Sequence, residues 1–378
     1  MQLDLIGTFV GGIAIKKSDN YSNFKDSIKG FGLVRLWVII LILVLAIVSS
    51  TLIWVTYNNT EQDLMNIANQ INPDKVESGL TVEDYQDPAT AIKVTSGIYV
   101  DRVKSLSIKD NLWTVDFYIW FKWKGDLNPG DSFQVIDGTV DPKDVKLIKN
   151  GVVGDETYAL YKVTATITKK FDMNRFPVDD QFLTINIQDT ADQRDKMIFV
   201  PDQEGSSVGS NVNTPGYGIV GFNMTEKPFN FNSTMGDPTV SSGTFSQLRT
   251  GILLSREDNS VLFVSLIGIF VAVLAALSSL FIMSFQGRFS MEGASMFVLI
   301  TNMIFISNLV PTGVITVGHY VAALGFFIVA MCLVESSISI YYHKKGDEAL
   351  ARRLDLVTVP ILALGFVVTV IAMIWAAW

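Results

Sequence analysis

Glu292, Ser295, Leu299, Asn302 and Ile306 recur at steps of three and four residues in a segment that is otherwise apolar. At that spacing they share one face of a helix. Polar side chains inside an apolar helix face a protein interior or water. On a face lining a water-filled passage, Glu292 would supply a carboxylate that favours cations. Leu299 or Ile306 would supply a constriction that closes by dewetting. Counting back from Pro311 gives a second register: Ser290, Ala294, Phe297, Thr301 and Phe305. The first register is preferred because it holds the polar side chains. The competing structural role is hydrogen bonding of Ser295 and Asn302 to neighbouring helices.

A second constellation is the turn Phe176-Pro177-Val178-Asp179, set between two alternating segments. Thr164, Thr166 and Thr168 alternate with apolar residues, as do Leu183, Ile185 and Ile187, which predicts half-buried strands on either side. Pro177 fixes φ and favours a turn. On composition alone Asp179 and Asp180 read equally as solvated turn residues or as functional ones. Tyr217, Phe222, Phe229 and Phe231 are candidates for an aromatic cage around a ligand cation, with ordinary packing as the competing role. Asp189, Asp192, Asp195, Asp202 and Glu204 crowd one stretch, but their spacing matches no calcium loop. No metal site is expected.

With one cysteine (Cys332) and two histidines (His319, His343), neither a disulfide, a zinc site nor a Cys/His catalytic pair is expected. No nucleophile elbow, phosphate-binding loop or HExxH motif is present. No enzyme and no cofactor are expected.

The 378-residue chain is 49% hydrophobic with a net charge of −8. Residues 58–258 hold 29 acidic and 19 basic side chains, a local balance of −10. The acidic excess therefore sits in one central region, which repels nucleic acid and concentrates cations. The mean hydropathy of +0.35 reflects long apolar runs elsewhere.

Five of those runs predict membrane spans. Leu36–Tyr57 is uncharged and long enough for roughly 30 Å of hydrocarbon. It reads as a retained anchor, after a 1–34 segment in which Leu5–Ile15 is too short to span. Four more runs lie at about Val261–Met283, Ala294–Val310, Tyr320–Tyr341 and Val357–Trp378. The basic residues before the first span, together with the 286–293 and 343–353 linkers, place the N-terminus in the cytoplasm. The central region and the C-terminus then lie outside, in a multi-pass arrangement in the plasma (inner) membrane. A short helix is expected near Glu61–Asn72. Strands are expected at Ile98–Val103, Leu112–Trp123, Phe133–Ile136, Tyr158–Thr168, Phe182–Ile187 and Lys196–Val200, forming an antiparallel sandwich. Residues 201–250 read as loop-rich. Three sequons lie in the part expected outside, at Asn58, Asn223 and Asn232.

Phe176, Pro177, Asp179 and Gln181 meet the aromatic-Pro-x-Asp-x-Gln pattern of one family's signature loop. The chain resembles the pentameric ligand-gated ion channels, the Cys-loop receptor superfamily, in their cysteine-less prokaryotic form. The positions of the animal receptors' disulfide fall on Lys169 and Leu183. Further likeness lies in Gly97 to Asp126, with Phe117, Trp120 and Trp123. It continues in Ser255-Arg256 before the second span, and in Ser307 to Thr312 after the pore helix. The resemblance runs from about residue 90 to the end of the chain. Three departures stand out: the N-terminal span is extra, no Trp-x-Pro segment of the agonist pocket is found, and Gly268 stands where the first channel helix usually has proline.

The resemblance implies an α+β membrane protein. An extracytoplasmic antiparallel β-sandwich (90–258) would be followed by a four-helix transmembrane channel domain (259–378). Before them come the cytoplasmic segment 1–34, an N-terminal transmembrane helix at 35–57 and a linker at 58–89. It implies a homopentamer in lipid that conducts inorganic cations, lined by Glu292, Ser295, Leu299, Asn302 and Ile306. The agonist would be a small molecule, proton or divalent cation. Coupling would run through Phe176, Pro177, Asp179 and Arg256, with Asp179 and Arg256 paired between the two domains. The alternative is a non-conducting sensor or scaffold on the same fold, with the N-terminal span against lipid outside the other four.

Overall fold

The computed structural model describes residues 4–73, 75–77, 79–231, 233, 243–257 and 259–378, with side chains from Gly32 onward. The sequon at Asn232 and the packing expected of Leu5–Ile15 fall outside the described residues. The chain divides into two compact units: a β unit of residues 56–263, 305–317 and 377–378, and a helical unit made from the rest.

In the β unit, β2 (Leu112–Trp123) shows how the sequence makes its sheet. Trp113, Val115, Phe117, Ile119, Phe121 and Trp123 alternate with more accessible neighbours and are all buried. Each large side chain of this kind contributes about 1.5–3 kcal/mol on burial. β2 lies between β1 (Ile92–Ser107) and β6 (Glu156–Thr168), both antiparallel to it. β4 (Gly138–Thr139) and β5 (Val145–Val153) pair with β6. β8 (Met197–Pro201) and β9 (Ser207–Val208) pair with β1 in parallel, so the expected all-antiparallel arrangement is corrected at this edge. The second sheet is antiparallel throughout, in the order β10 (Tyr217–Asn230), β11 (Thr244–Arg256), β7 (Gln181–Asp189), β3 (Phe133–Ile136). A one-turn helix, α2 (Pro129–Ser132), leads into β3. The rings of Phe121 and Phe133 meet across the two sheets at 5.3 Å.

The stretch 201–250, expected to be loop-rich, contains most of β10 and β11, hydrogen-bonded to each other from Tyr217–Arg256 to Asn230–Thr244. Gly218, Gly221 and Pro228 obscured β10. Proline is tolerated there because β10 is an edge strand. Gly251 on β11 has a positive reason: a Cβ would collide with the ring of Phe182 on β7.

α1 is one helix from Asp4 to Ile71, 68 residues, about 100 Å long at 1.5 Å per residue. The expected span and the short helix at Glu61–Asn72 are parts of it. No glycine or proline interrupts residues 33–71, and Pro73 then stops the helix. α3 (Ser260–Ser279), α4 (Phe285–Leu309), α5 (Val317–Lys344) and α6 (Glu348–Ala377) follow. α4 thus takes in the whole of the expected 286–293 linker. Among the described residues, five helices are long and apolar enough to cross a membrane.

In the helical unit α5 is the most enclosed, half of its most apolar window being buried, against 11% for α1. α1 lies on α6 in parallel. Trp37 Nε1 donates to Thr358 Oγ1 at 2.8 Å. Twelve residues on, the Ser49 and Thr369 hydroxyls are 2.7 Å apart. Gly365 lies between those contacts, and a Cβ there would collide with Leu45.

Candidate functional site

The turn between β6 and β7 holds an inward-facing carboxylate. Asp179 is 1% exposed. Its Oδ1 accepts from Arg256 Nε at 2.8 Å, and its Oδ2 accepts from Tyr217 OH and Gln181 Nε2, each at 2.7 Å. Gln181 Nε2 also donates to the Asp172 carbonyl at 2.8 Å, closing the loop on itself. The Arg256 guanidinium lies 4.6 Å from the Tyr217 ring centre and 5.2 Å from that of Phe176. Pro177 follows Phe176 through a cis peptide bond.

Three charge-assisted or phenolic hydrogen bonds on one buried carboxylate make a strong node. Burial, reinforced by the Asp179 charge and opposed by Arg256, pushes the Tyr217 phenol far above its ordinary range, so it stays a neutral donor. Asp179 and Arg256 therefore pair as expected, but wholly inside the β unit and not between two domains.

The same turn is tied to a distant part of the sequence. The Asn174 carbonyl accepts from the Val317 N–H at 3.0 Å, at the end of the 311–317 segment between α4 and α5. The Asn174 side-chain amide donates to Asp63 on α1 at 3.2 Å. Arg175, also buried, holds Asp180 at 3.1 Å. Phe176, Pro177, Asp179 and Arg256 thus lie together, joined by Tyr217.

Tyr217 consequently does not belong to an aromatic cage. It begins β10, and Phe229 is twelve residues along the same strand, about 40 Å away at 3.3 Å per residue. Phe229 and Phe231 pack edge-on at 5.1 Å, and Phe231 on Phe245 at 5.7 Å. Phe222 lies on β10 between these ends, opposite Ile252. The four rings form no common site. The acidic stretch is also dispersed. Asp189 accepts from the Ala191 and Asp192 N–H groups, while Asp202 accepts from Trp120 Nε1. Among the described residues no group of three or more His, Cys, Asp or Glu side chains could hold a metal.

The α4 stripe corrects the preferred register. Glu292, Ser295, Leu299, Asn302 and Ile306 do share a face, but all five are buried within the chain itself. Glu292 Oε1 accepts from Ser279 on α3 at 3.0 Å and from Ser336 on α5 at 2.7 Å. Asn302 fits against α3 where Gly268 leaves room, since a Cβ at Gly268 would meet the Asn302 amide at 2.7 Å. A face packed inside the chain lines no water-filled passage. The second register, Ser290, Ala294, Phe297, Thr301 and Phe305, is exposed along its length. Inter-helix packing claimed the polar residues, as membrane helices often arrange.

The sequence reading missed Glu335 and Asp355. Arg288 holds Asp355 in a two-pronged pair at 2.8 and 2.7 Å, and its Nη1 is 3.9 Å from Glu335 Oε2. Glu335 is the one charged residue in the Tyr320–Tyr341 run, a signal that a charge inside a span should have raised.

No protein-family model matches this chain, and no curated protein matches it.

Proposed function

We propose that the chain is one subunit of an oligomeric, ligand-gated ion channel in a cell membrane. The carrying observation is the buried node of Asp179, Arg256 and Tyr217 in a turn whose Asn174 carbonyl holds the 311–317 segment. That node links β7, β10 and β11 to the segment joining α4 to α5. A displacement of the second sheet has a short, hydrogen-bonded route to the first residue of α5. The resemblance of the same loop to the Cys-loop receptor superfamily supports the reading, as does the order of a β-rich region followed by four apolar helices. In this reading the N-terminus and the basic 343–353 linker are cytoplasmic, and the β unit is extracytoplasmic.

The pore wall is the exposed face of α4, Ser290, Ala294, Phe297, Thr301 and Phe305, in a ring of five subunits. Phe297, 70% exposed on the single chain, supplies the apolar constriction. With Glu292 packed inside the subunit, the cation preference rests on the acidic residues of the β unit, which raise local cation concentration. The family's agonist pocket finds no counterpart in the aromatic residues, and the agonist is a ligand of the β unit.

The test is current across a planar bilayer with cysteines introduced on α4. Thiol reagents are expected to block Thr301→Cys and Phe297→Cys channels and to spare Asn302→Cys. Block at Asn302→Cys with none at Thr301→Cys would overturn the wall assignment. Absence of current at every pH and ligand tried would favour a non-conducting sensor.

A further inference from the structure

Four ionisable side chains meet in the helical unit: Arg288 and Glu292 on α4, Glu335 on α5 and Asp355 on α6, all nine-tenths or more buried. Their hydrogen bonding is unequal. Arg288 spends both terminal nitrogens on Asp355 and its Nε on the Ile282 carbonyl at 2.7 Å. Glu292 Oε1 takes two serine hydroxyls. Both carboxyl oxygens of Glu335 are buried and have no donor. One guanidinium nitrogen brings the two acids together: Arg288 Nη1 is 2.8 Å from Asp355 Oδ1 and 3.9 Å from Glu335 Oε2.

Written as ions, the cluster holds three negative charges and one positive charge, with the Glu335 and Asp355 carboxylates on the same guanidinium. An ionised carboxylate with no hydrogen-bond donor, and a cation only at 3.9 Å that already serves Asp355, is expensive in such surroundings, and adjacent carboxylates do not both ionise. Something must neutralise Glu335. A multidentate metal site is not supported, because no suitable group of ligands occurs among the described residues. A proton needs only one acceptor, and Asp355 provides it.

We propose that Glu335 and Asp355 form a proton-binding site in which one proton is shared between the two carboxyls while Arg288 balances the remaining charge. The proton has a way in. A cavity of about 170 Å³ is lined by Arg288, Asp355, Ser339, His343, Glu348 and Arg352, among others. Of these, His343, Glu348 and Arg352 are exposed. A proton from water in this cavity passes to the Asp355 side of the pair and onto Glu335, and leaves by the same path. The groups around the pair are Arg288 and Glu292 from α4, Cys332 and His343 from α5, and Arg352 and Glu348 from α6. α3 contributes Ser279, which does not titrate, and α1 carries Arg35 as its one charged residue between Gly32 and Val55. The site is independent of the channel reading, since it requires only the packing of α4, α5 and α6.

The test is infrared difference spectroscopy of the full chain in lipid nanodiscs, with and without carbon-13 glutamate. The expected result is the carbonyl stretch of a protonated carboxylic acid at neutral pH, shifted by the label. It should vanish in Glu335→Gln and persist in Glu292→Gln. Glu335→Gln mimics the protonated acid and is expected to fold and to melt no lower than the wild type. The wild-type spectra decide the matter without any variant: no protonated-acid band at neutral pH overturns the proposal. A Glu335→Gln chain that does not fold also overturns it. So does a wild-type melting temperature that rises with sodium or potassium at fixed ionic strength, which would assign the site to a metal cation.

Discussion

Asp179 sets the energetics of the loop. Its carboxylate is the acceptor for three donors, and removing it leaves the Arg256 guanidinium largely buried and unpaired. Asp179→Ala is therefore expected to destabilise the β unit by about 3–5 kcal/mol, and Tyr217→Phe by about 1 kcal/mol. Urea unfolding followed by tryptophan fluorescence measures both. The double variant Asp179→Ala with Arg256→Ala should cost less than the separate losses combined, because it removes the stranded charge. Arg256→Lys should not restore the wild-type value, since a lysine lacks the Nε–H donor and the planar stacking on Tyr217 and Phe176. Lys169 offers a pH test at the other end of the loop. Burial pulls its ammonium down from 10.5 to about 8, against the opposing charge of Asp137. Between those values the folded state binds fewer protons than the unfolded state, so stability rises with pH from about 8 to 10.5. In Lys169→Met that rise is expected to disappear, and the variant should exceed the wild type in stability at neutral pH. A flat wild-type profile over this window would refute the assignment.

Among the elements, α1 and α6 make the most direct prediction. Trp37, Leu45 and Ser49 face Thr358, Gly365 and Thr369, and Leu41, buried, falls on the same row at steps of four. The Ser49 and Thr369 hydroxyls are close enough for a disulfide between cysteines at those positions. Ser49→Cys with Thr369→Cys should therefore cross-link spontaneously under mild oxidation, read as a mobility shift on gels after cleavage between the helices. Adding Gly365→Leu should abolish the cross-link, because the new side chain occupies the place of Leu45. Persistence of the cross-link would mean that α1 slides along α6 without loss. α4 carries the opposite lesson. Its two faces were both visible as three-and-four repeats, and the inner one was chosen by the hydroxyls of Ser279 and Ser336.

For the whole molecule, the proposed channel predicts that native mass spectrometry in detergent shows the mass of five 41.7 kDa chains. A monomer, or any other closed number, would remove the pore as described. In the proposed channel, cation preference is expected to weaken as ionic strength rises, because the β unit would act through its summed charge and salt screens it within about 10 Å at 0.1 M. Reversal potentials in salt gradients measure this. A selectivity independent of salt would point to a local site in place of the general field.

Periodicity alone determined the membrane-length helices, β2, β3 and most of β6 and β7, because burial on one face writes itself into every second or every third to fourth residue. The turn at Phe176–Asp179 was equally legible, since proline and aspartate in that setting have few uses. What only tertiary structure decided was partnership. β10 and β11 were hidden because each is stabilised by its ladder to the other and by Phe182 lying over Gly251, not by its own alternation. Tyr217 moved from a supposed cage to the Asp179 node because strand register, not ring chemistry, sets its neighbours. Glu292 moved from a pore to the interior because two serines on other helices reach it. Glu335 and Asp355 stand 20 residues apart in the chain, and no local pattern reveals that α5 and α6 bring their carboxyls together around Arg288.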